Sequence, residues 1–105
     1  MYIYNVTIKV SLAIVSEWIA WMQQEHLDEV ISTGMFDRYL FFELLEPKEE
    51  EEEARTFVAQ YVTDSKERYE TYIQEHAPRL REKGFSRFGS GFIAFRSLMQ
   101  EVIPM

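Results

Sequence analysis

The residues of this sequence with the widest chemical range are its two histidines, and each lies in a Gln-Glu-His tripeptide. His26 and His76 are 50 positions apart and the chain has no other histidine. Imidazole can act as a general base or bind a metal near neutral pH. Neither residue has a His-x3-His or Glu-x3-His partner, so the spacing predicts no metal site. We interpret both as packed helix residues, with pocket lining as the alternative and catalysis as the least favoured reading.

Aromatic and cationic side chains add further candidates for a site. Trp18, Trp21 and Met22 could line a pocket, although an aromatic stripe at this spacing is more often core. Arg96 interrupts an apolar strand and cannot be neutralised at ordinary pH, so a buried Arg96 needs a carboxylate. Glu43 is its candidate partner, in an interfacial ion pair; the alternative is a clamp for a carboxylate ligand. No catalytic residue and no cofactor is predicted, and the candidate ligand-binding residues are His26, His76, Trp18, Met22, Tyr72 and Arg96.

Composition narrows the class of protein. The chain has 105 residues, no cysteine and a formal net charge of −7, so we expect one domain over residues 1–105 and no thiolate or disulfide chemistry. This net negative charge argues against nucleic-acid binding. There is no apolar run of about 18 residues to span a membrane, and the N-terminus lacks the basic lead of a signal peptide. We therefore expect a cytoplasmic protein.

Hydrophobic periodicity predicts the order βαββαβ, with strands at 2–10, 36–46, 55–63 and 91–100. The first helix has Ser16 as its predicted N-cap and Gly34 as its stop. The second opens on a capping box from Asp64 to Glu67 and ends at Gly84. The acidic run at 49–53 predicts a solvated loop. This order is that of the ferredoxin-like α+β fold, a four-stranded antiparallel sheet with two helices on one face.

An offset of 50 relates the two halves of the chain: it aligns Glu17 with Glu67, Gly34 with Gly84 and the two Gln-Glu-His tripeptides with each other. Each half is one βαβ unit, so the tripeptides are predicted to occupy equivalent turns of the two helices.

The predicted sheet is apolar on both faces, although helices can cover only one. In strand 2, for example, Leu40 and Phe42 alternate with Tyr39 and Phe41, and in strand 4 Phe95 lies opposite Phe92. A solvated face should alternate toward polar residues. We therefore predict a homodimer packed sheet against sheet. The polar residues that interrupt these faces should form an island in the interface or line a cavity; they are Glu43, Gln60 and Arg96.

A cluster of basic residues near the end of the second helix is compatible with the helix dipole alone. Its members are Arg79, Arg81, Lys83 and Arg87.

The segments EWIAWMQQEHLDEVISTGMF, QEHAPRLREKGF and FIAFRSLMQEV together resemble a family of small bacterial domains known only as a domain of unknown function. The resemblance covers nearly the whole chain. In fold, that family is similar to the dimeric α+β barrels, a superfamily that includes antibiotic-biosynthesis monooxygenases and whose members place ligands between helices and sheet. The resemblance implies the fold and a homodimer, and it implies no particular reaction.

Three functions remain open at this point. The first is a non-enzymatic dimeric module that binds a small apolar or carboxylate ligand, or a regulatory partner. The second is a cofactor-free monooxygenase or isomerase acting on such a compound. The third is a purely structural interaction dimer. A cavity between helices and sheet that contains a histidine and Arg96 would favour the first two.

Overall fold

Four strands form one antiparallel sheet in the order β2-β3-β1-β4, with β1 and β3 in the centre. The computed structural model describes residues 1–48 and 53–104. The element order and sheet order confirm the predicted ferredoxin-like α+β fold. The strands are β1 (Tyr2–Ser11), β2 (Arg38–Leu44), β3 (Ala54–Thr63) and β4 (Phe92–Gln100). Of the predicted acidic loop, residues 49–52 lie outside the described residues.

Two helices cover one face of this sheet, and each contains a π-helical turn. The first helix, α1, consists of an α-helical segment Val15–Trp21, the π turn Met22–His26 and a second α-helical segment Leu27–Ser32. The second helix, α2, consists of Lys66–Thr71, the π turn Tyr72–His76 and Ala77–Phe88. Among the described residues, no helix is long and apolar enough to cross a membrane.

The two π turns confirm the internal repeat, because each Gln-Glu-His tripeptide forms the last three residues of one of them. A π turn replaces the usual hydrogen bonds with longer i→i+5 bonds, is rare, and is often found at functional sites. It also shifts the helical phase. Leu27, the first residue after the π turn of α1, is only 1% exposed.

The core lies between the helices and the sheet. Alternation along β1 directs Tyr4, Ile8 and Val10 toward the helices, where they are buried. On α1, Trp18 packs its ring 5.0 Å from that of Phe57. These contacts fix the spacing between helices and sheet and thereby the space in which a site can form.

The helix ends differ from the prediction at three of four positions. Ile14, not Ser16, occupies the N-cap position of α1, without a side-chain cap. The α2 cap is Ser65, whose Oγ accepts a hydrogen bond from the Arg68 amide at 3.1 Å, one residue beyond the predicted start of the capping box. The α1 stop at Gly34 is confirmed by its positive φ of 78°.

Gly84 does not end α2, which continues to Phe88 and turns at Gly89. A Cβ atom at Gly84 would lie 3.2 Å from Cη2 of Trp21. The glycine therefore allows α2 to lie close to the ring of Trp21, where any larger residue would crowd that ring, and the sequence pattern of a helix stop was misleading here.

The outer face of the sheet, the face away from the helices, carries two apolar rows along the edge strands. Between them the central strands carry a small polar network, in which Gln60 Nε2 donates to Asn5 Oδ1 at 3.1 Å and Asn5 Nδ2 donates to Thr7 Oγ1 at 3.2 Å. The outer rows consist of Leu40, Phe42 and Leu44 on β2 and of Ile93, Phe95 and Met99 on β4.

The prediction that Glu43, Gln60 and Arg96 form one polar island is wrong. Gln60 lies on the outer face, whereas Arg96 lies on the helix side. Glu43 is on β2, at the opposite edge of the sheet from β4, and it accepts two hydrogen bonds from Arg55 at 2.7 and 2.8 Å. The predicted ion pair between Glu43 and Arg96 is therefore also wrong.

Candidate functional site

A cavity of about 60 Å³ lies between the helices and the sheet. Apolar and aromatic side chains form most of its wall, and a few polar groups interrupt them. From the sheet it is lined by Tyr4, Val6, Ile8, Ala59, Tyr61, Phe92, Ala94 and Arg96; from the helices it is lined by Trp18, Trp21, Met22, His26, Tyr72, Leu80, Arg81 and Gly84. A mostly apolar wall with a few polar groups is the usual make-up of a small-molecule site.

Most of the candidate residues come together around this cavity, and His76 does not. His76 is half-buried and stacks on Tyr72 with ring centroids 6.3 Å apart. The two tripeptides are thus equivalent in the helices but not in their surroundings. The candidates that line the cavity are Trp18, Met22, His26, Tyr72 and Arg96.

His26 is held in place by Trp21. The two rings stack with centroids 4.6 Å apart and an interplanar angle of 24°. Nδ1 of His26 is buried and has no hydrogen-bond partner among the described residues. Burial lowers the pKa of His26 to about 4; Glu29 opposes this effect, and the positive charges of Arg96 and Lys83 add to it. The ring is therefore neutral at pH 7.

Two guanidinium groups line the cavity and remain exposed, which places them at its open side. Arg81 donates from Nη2 to the Tyr4 hydroxyl at 3.2 Å. Arg96 makes no hydrogen bond or ion pair within residues 1–48 and 53–104. Its donors are therefore available to an incoming anion, and a planar guanidinium suits a carboxylate in particular.

Three tyrosine rings cluster in the wall of the cavity. The ring of Tyr4 lies 5.9 Å from that of Tyr61 and 5.8 Å from that of Tyr72. Burial raises the pKa of both Tyr61 and Tyr72 far above the usual range, with neighbouring tyrosines adding to the effect. Their hydroxyls stay protonated across the physiological range and can only serve as neutral hydrogen-bonding groups.

Two lining residues have roles that the sequence analysis did not assign: Gly84 was interpreted as a helix stop and Arg81 was assigned to the helix dipole. Trp21, which the sequence analysis named as a possible pocket residue with a core position as the alternative, lines the cavity. For Gly84, its position within an otherwise helical pattern was a signal that could have indicated close packing. The contact between Arg81 and Tyr4 joins residues 77 positions apart, and nothing in the local sequence indicates it.

Other members of the basic cluster join the two helices. Lys83 Nζ lies 2.8 Å from Glu29 Oε2, and Arg87 Nη1 lies 3.8 Å from Glu25 Oε2. Interaction with the helix dipole alone is therefore an incomplete account of this cluster. These pairs cross from α2 to α1 next to His26 and hold the two helices over the cavity.

The polar groups of the cavity are of the kind that can hold a small anion. A neutral imidazole, protonated phenols and a free guanidinium offer hydrogen bonds and positive charge. In the part of the chain that the structure describes, no three His, Asp or Glu side chains converge as metal ligands.

The fold and this cavity define the class: a ferredoxin-like α+β domain with a cavity between helices and sheet. The chain belongs to the family described as Domain of unknown function (DUF4286), whose model matches residues 1–102. This match confirms the resemblance drawn from the sequence. A search of the curated proteins finds no match to the chain.

Several solved structures share the fold. One is a dimeric ferredoxin-like protein from an uncultured marine organism, 17% identical, with a TM-score of 0.65 over 100% of this chain and 98% of the other. A second protein of the same description is 11% identical, with a TM-score of 0.65 over 99% and 98%. The de novo designed protein Foldit4 is 10% identical, with a TM-score of 0.57 over 96% and 98%. At these identities the likeness confirms the fold alone.

Proposed function

We propose that this protein is a non-enzymatic binding module whose cavity holds a short-chain carboxylate. The observation that carries the proposal is the exposed guanidinium of Arg96 at one mostly apolar cavity, where none of the described residues supplies it with a carboxylate. A guanidinium binds a carboxylate group through two parallel hydrogen bonds. The apolar wall of the cavity suits a short alkyl chain on that carboxylate.

The size of the cavity sets the size of the ligand. Sites for drug-sized molecules measure about 300–1,000 Å³, well above the 60 Å³ found here. A water molecule needs about 10–15 Å³ of such space, so this cavity has room for roughly four to six non-hydrogen atoms. A carboxylic acid of two or three carbons fits this limit.

The electrostatics of the cavity argue against the alternative of a cofactor-free monooxygenase or isomerase. A general base works best with a pKa near the working pH, and the pKa of His26, lowered by burial to about 4, makes it a weak base. The raised pKa values of Tyr61 and Tyr72 keep these groups from acting as phenolates. Binding without chemistry is the function that this arrangement supports best.

We also propose that the module is a homodimer joined through the outer rows. Phe95 is 64% exposed and Ile93 57% exposed on one row, and Phe42 is 48% exposed on the other. Monomers seldom leave apolar side chains of this size contiguous in water. The two marine proteins that share the fold are described as dimeric. A cytoplasmic location suits a chain without cysteine.

The binding proposal is tested by titrating the protein with propionate and with its neutral counterpart propionamide. Both tryptophans of the chain line the cavity, so intrinsic fluorescence reports its occupation. We expect a saturable change with propionate at micromolar to millimolar concentration and a response to propionamide at least tenfold weaker, because a charge-assisted hydrogen bond contributes about 1.5–3 kcal/mol.

Arg96→Ala should weaken propionate binding at least tenfold. Arg79→Ala provides the matched control, since Arg79 is an exposed arginine on α2 that does not line the cavity. Equal responses to propionate and propionamide, or an equal effect of both variants, would contradict the proposal.

A further inference from the structure

We infer that the ligand of this cavity is a short dicarboxylate, with one carboxylate bound by Arg96, the other bound by Arg81, and the carbon between them against the apolar wall. This inference deepens the proposed function and rests on it. It concerns the second arginine of the cavity, which a ligand with a single carboxylate leaves without a counter-charge.

The wall of the cavity carries two positive charges and no negative one. Among the described residues that line it, Arg81 and Arg96 are cationic, and none is an Asp or a Glu. None of the described carboxylates forms an ion pair with either arginine. This local balance is opposite to that of the whole chain, whose formal net charge is −7. Since arginine keeps its charge at any ordinary pH, a ligand with two negative charges neutralises this cavity best.

The pairing of β1 with β4 brings the two arginines to the same part of the cavity. Arg96 pairs with Val6, which lies two residues from Tyr4 on the same face of β1. Arg96 and Tyr4 are therefore diagonal neighbours on the helix side of the sheet, and such neighbours lie about 7–8 Å apart. Arg81 reaches the same place from α2, because its Nη2 donates to the Tyr4 hydroxyl at 3.2 Å.

The environment of Tyr72 supports this placement. Burial raises the pKa of its hydroxyl, Tyr4 adds to the rise, and the positive charges of Arg81 and Arg96 oppose it. Both guanidiniums therefore act on one point of the cavity wall. Arg81 uses one of its five N–H donors on Tyr4, and both arginine side chains are exposed. Each can therefore donate to a carboxylate of the ligand.

The size of the cavity limits the chain between the two carboxylates. The enclosed space has room for roughly four to six non-hydrogen atoms, and the exposed guanidiniums are at its open side. In the complex the carboxylates lie at this opening, and the carbon between them enters the apolar space. A link of one methylene group, as in malonate, meets this limit. Inorganic phosphate carries comparable charge but has no apolar part to place against the wall.

The experiment compares three compounds with the same number of non-hydrogen atoms by isothermal titration calorimetry at pH 7. Malonate carries two carboxylates, its monoamide malonamate carries one, and malonamide carries none. We expect the wild-type protein to bind malonate about tenfold more tightly than malonamate, and malonamate about tenfold more tightly than malonamide. Each replacement of a carboxylate by an amide removes one charge-assisted contact with an arginine.

Substitution of Arg81 locates the second carboxylate. Arg81→Gln should bind malonate and malonamate with similar affinity, because the partner of the second carboxylate is gone. It should still prefer malonamate to malonamide, through Arg96. Arg79→Gln is the matched control and should behave as wild type, since Arg79 is an exposed arginine of the same helix that does not line the cavity. Thermal unfolding of both variants establishes that they are folded.

The outcomes separate this inference from the proposed function. Binding of malonate no tighter than that of malonamate would leave a monocarboxylate-binding module and overturn the dicarboxylate. An unchanged preference for malonate in Arg81→Gln, or its loss in Arg79→Gln, would overturn the role of Arg81. Tighter binding of inorganic phosphate than of malonate would overturn the dicarboxylate in favour of another dianion. Equal binding of malonamate and malonamide, together with equal binding of propionate and propionamide, would overturn both proposals.

Discussion

Burial by Trp21 and the sheet makes His26 chemically different from an exposed histidine. Its pKa is lowered from 6.5 to about 4, so the unfolded chain takes up a proton between these values and the folded chain does not. Folding stability linked to this group is therefore fully present above pH 6.5 and is lost as the pH falls toward 4.

This linkage gives a prediction for acid unfolding. Between pH 7 and pH 4 the wild type should lose up to about 3 kcal/mol through His26 alone, from 1.36 kcal/mol per pKa unit. His26→Asn removes the titrating group, so the difference in free energy of unfolding in urea between this variant and the wild type should shift by about 3 kcal/mol in favour of the variant from pH 7 to pH 4, whatever that difference is at pH 7. His76→Asn should retain the acid sensitivity of the wild type. Parallel pH profiles for wild type and His26→Asn would disprove the linkage.

The two histidines also show which properties of a residue the sequence does not predict. Two identical tripeptides predicted two equivalent histidines, and the helices do place them equivalently. Only His26 of the two lines the cavity, where it stacks on Trp21, and Trp21 in turn lies against Gly84 of α2. Such a contact between distant segments has no counterpart in the local pattern of either tripeptide.

At the scale of the elements, hydrophobic alternation located all four strands to within two residues of their ends. The helix boundaries were predicted less accurately from the sequence. A serine or a glycine can cap a helix, lie on its surface or allow close packing, and these uses leave the same letters in the sequence. The π turns were not predicted at all, since a single additional residue per helix changes the period too little to be detected.

The helix caps can be tested directly. Ser65 accepts the hydrogen bond of the Arg68 amide, so Ser65→Ala should destabilise the protein by about 1 kcal/mol. Ser16, the residue that the sequence suggested as the cap of α1, has no such role, and Ser16→Ala should change the free energy of unfolding by less than about 0.5 kcal/mol. Urea denaturation of both variants makes the comparison. A larger loss for Ser16→Ala would contradict the observed starts of the helices.

At the scale of the whole molecule, the sequence predicted the fold correctly because three independent signals agreed: strand alternation, helical stripes and the repeat. It also predicted a second apolar face. It could not say which residues occupy which face, because that depends on the direction in which the helices cross the sheet. Phe41 proves to pack against the helices, with its ring 6.0 Å from Trp18, whereas Phe95 lies on the outer face.

The opposite orientations of Phe41 and Phe95 give a prediction for the assembly of the protein. In light scattering coupled to size exclusion, we expect the wild type at micromolar concentration to show about twice its chain mass of 12.6 kDa. Phe95→Asp should shift the mass to that of one chain while the protein stays folded, because it places an unpaired carboxylate in the interface. Phe41→Asp should instead unfold the protein.

A matched control exists on the helix side of the molecule. Phe85 on α2 is 61% exposed, nearly the same as Phe95, and Phe85→Asp should leave the dimer intact. A wild-type mass near 12.6 kDa would rule out the dimer at this concentration. Dissociation by Phe85→Asp would place the interface on the helices instead.

In the homodimer that we propose, the amides of Asn5 and Gln60, which are hydrogen-bonded to each other on the outer face, would lie where the two sheets meet. A group on a two-fold axis meets its own image. A lone charged group there would repel its image, whereas an amide, being both donor and acceptor, is its own complement. An amide pair at the centre of the contact would therefore let two identical sheets meet without a mismatch and would favour a like over an unlike partner.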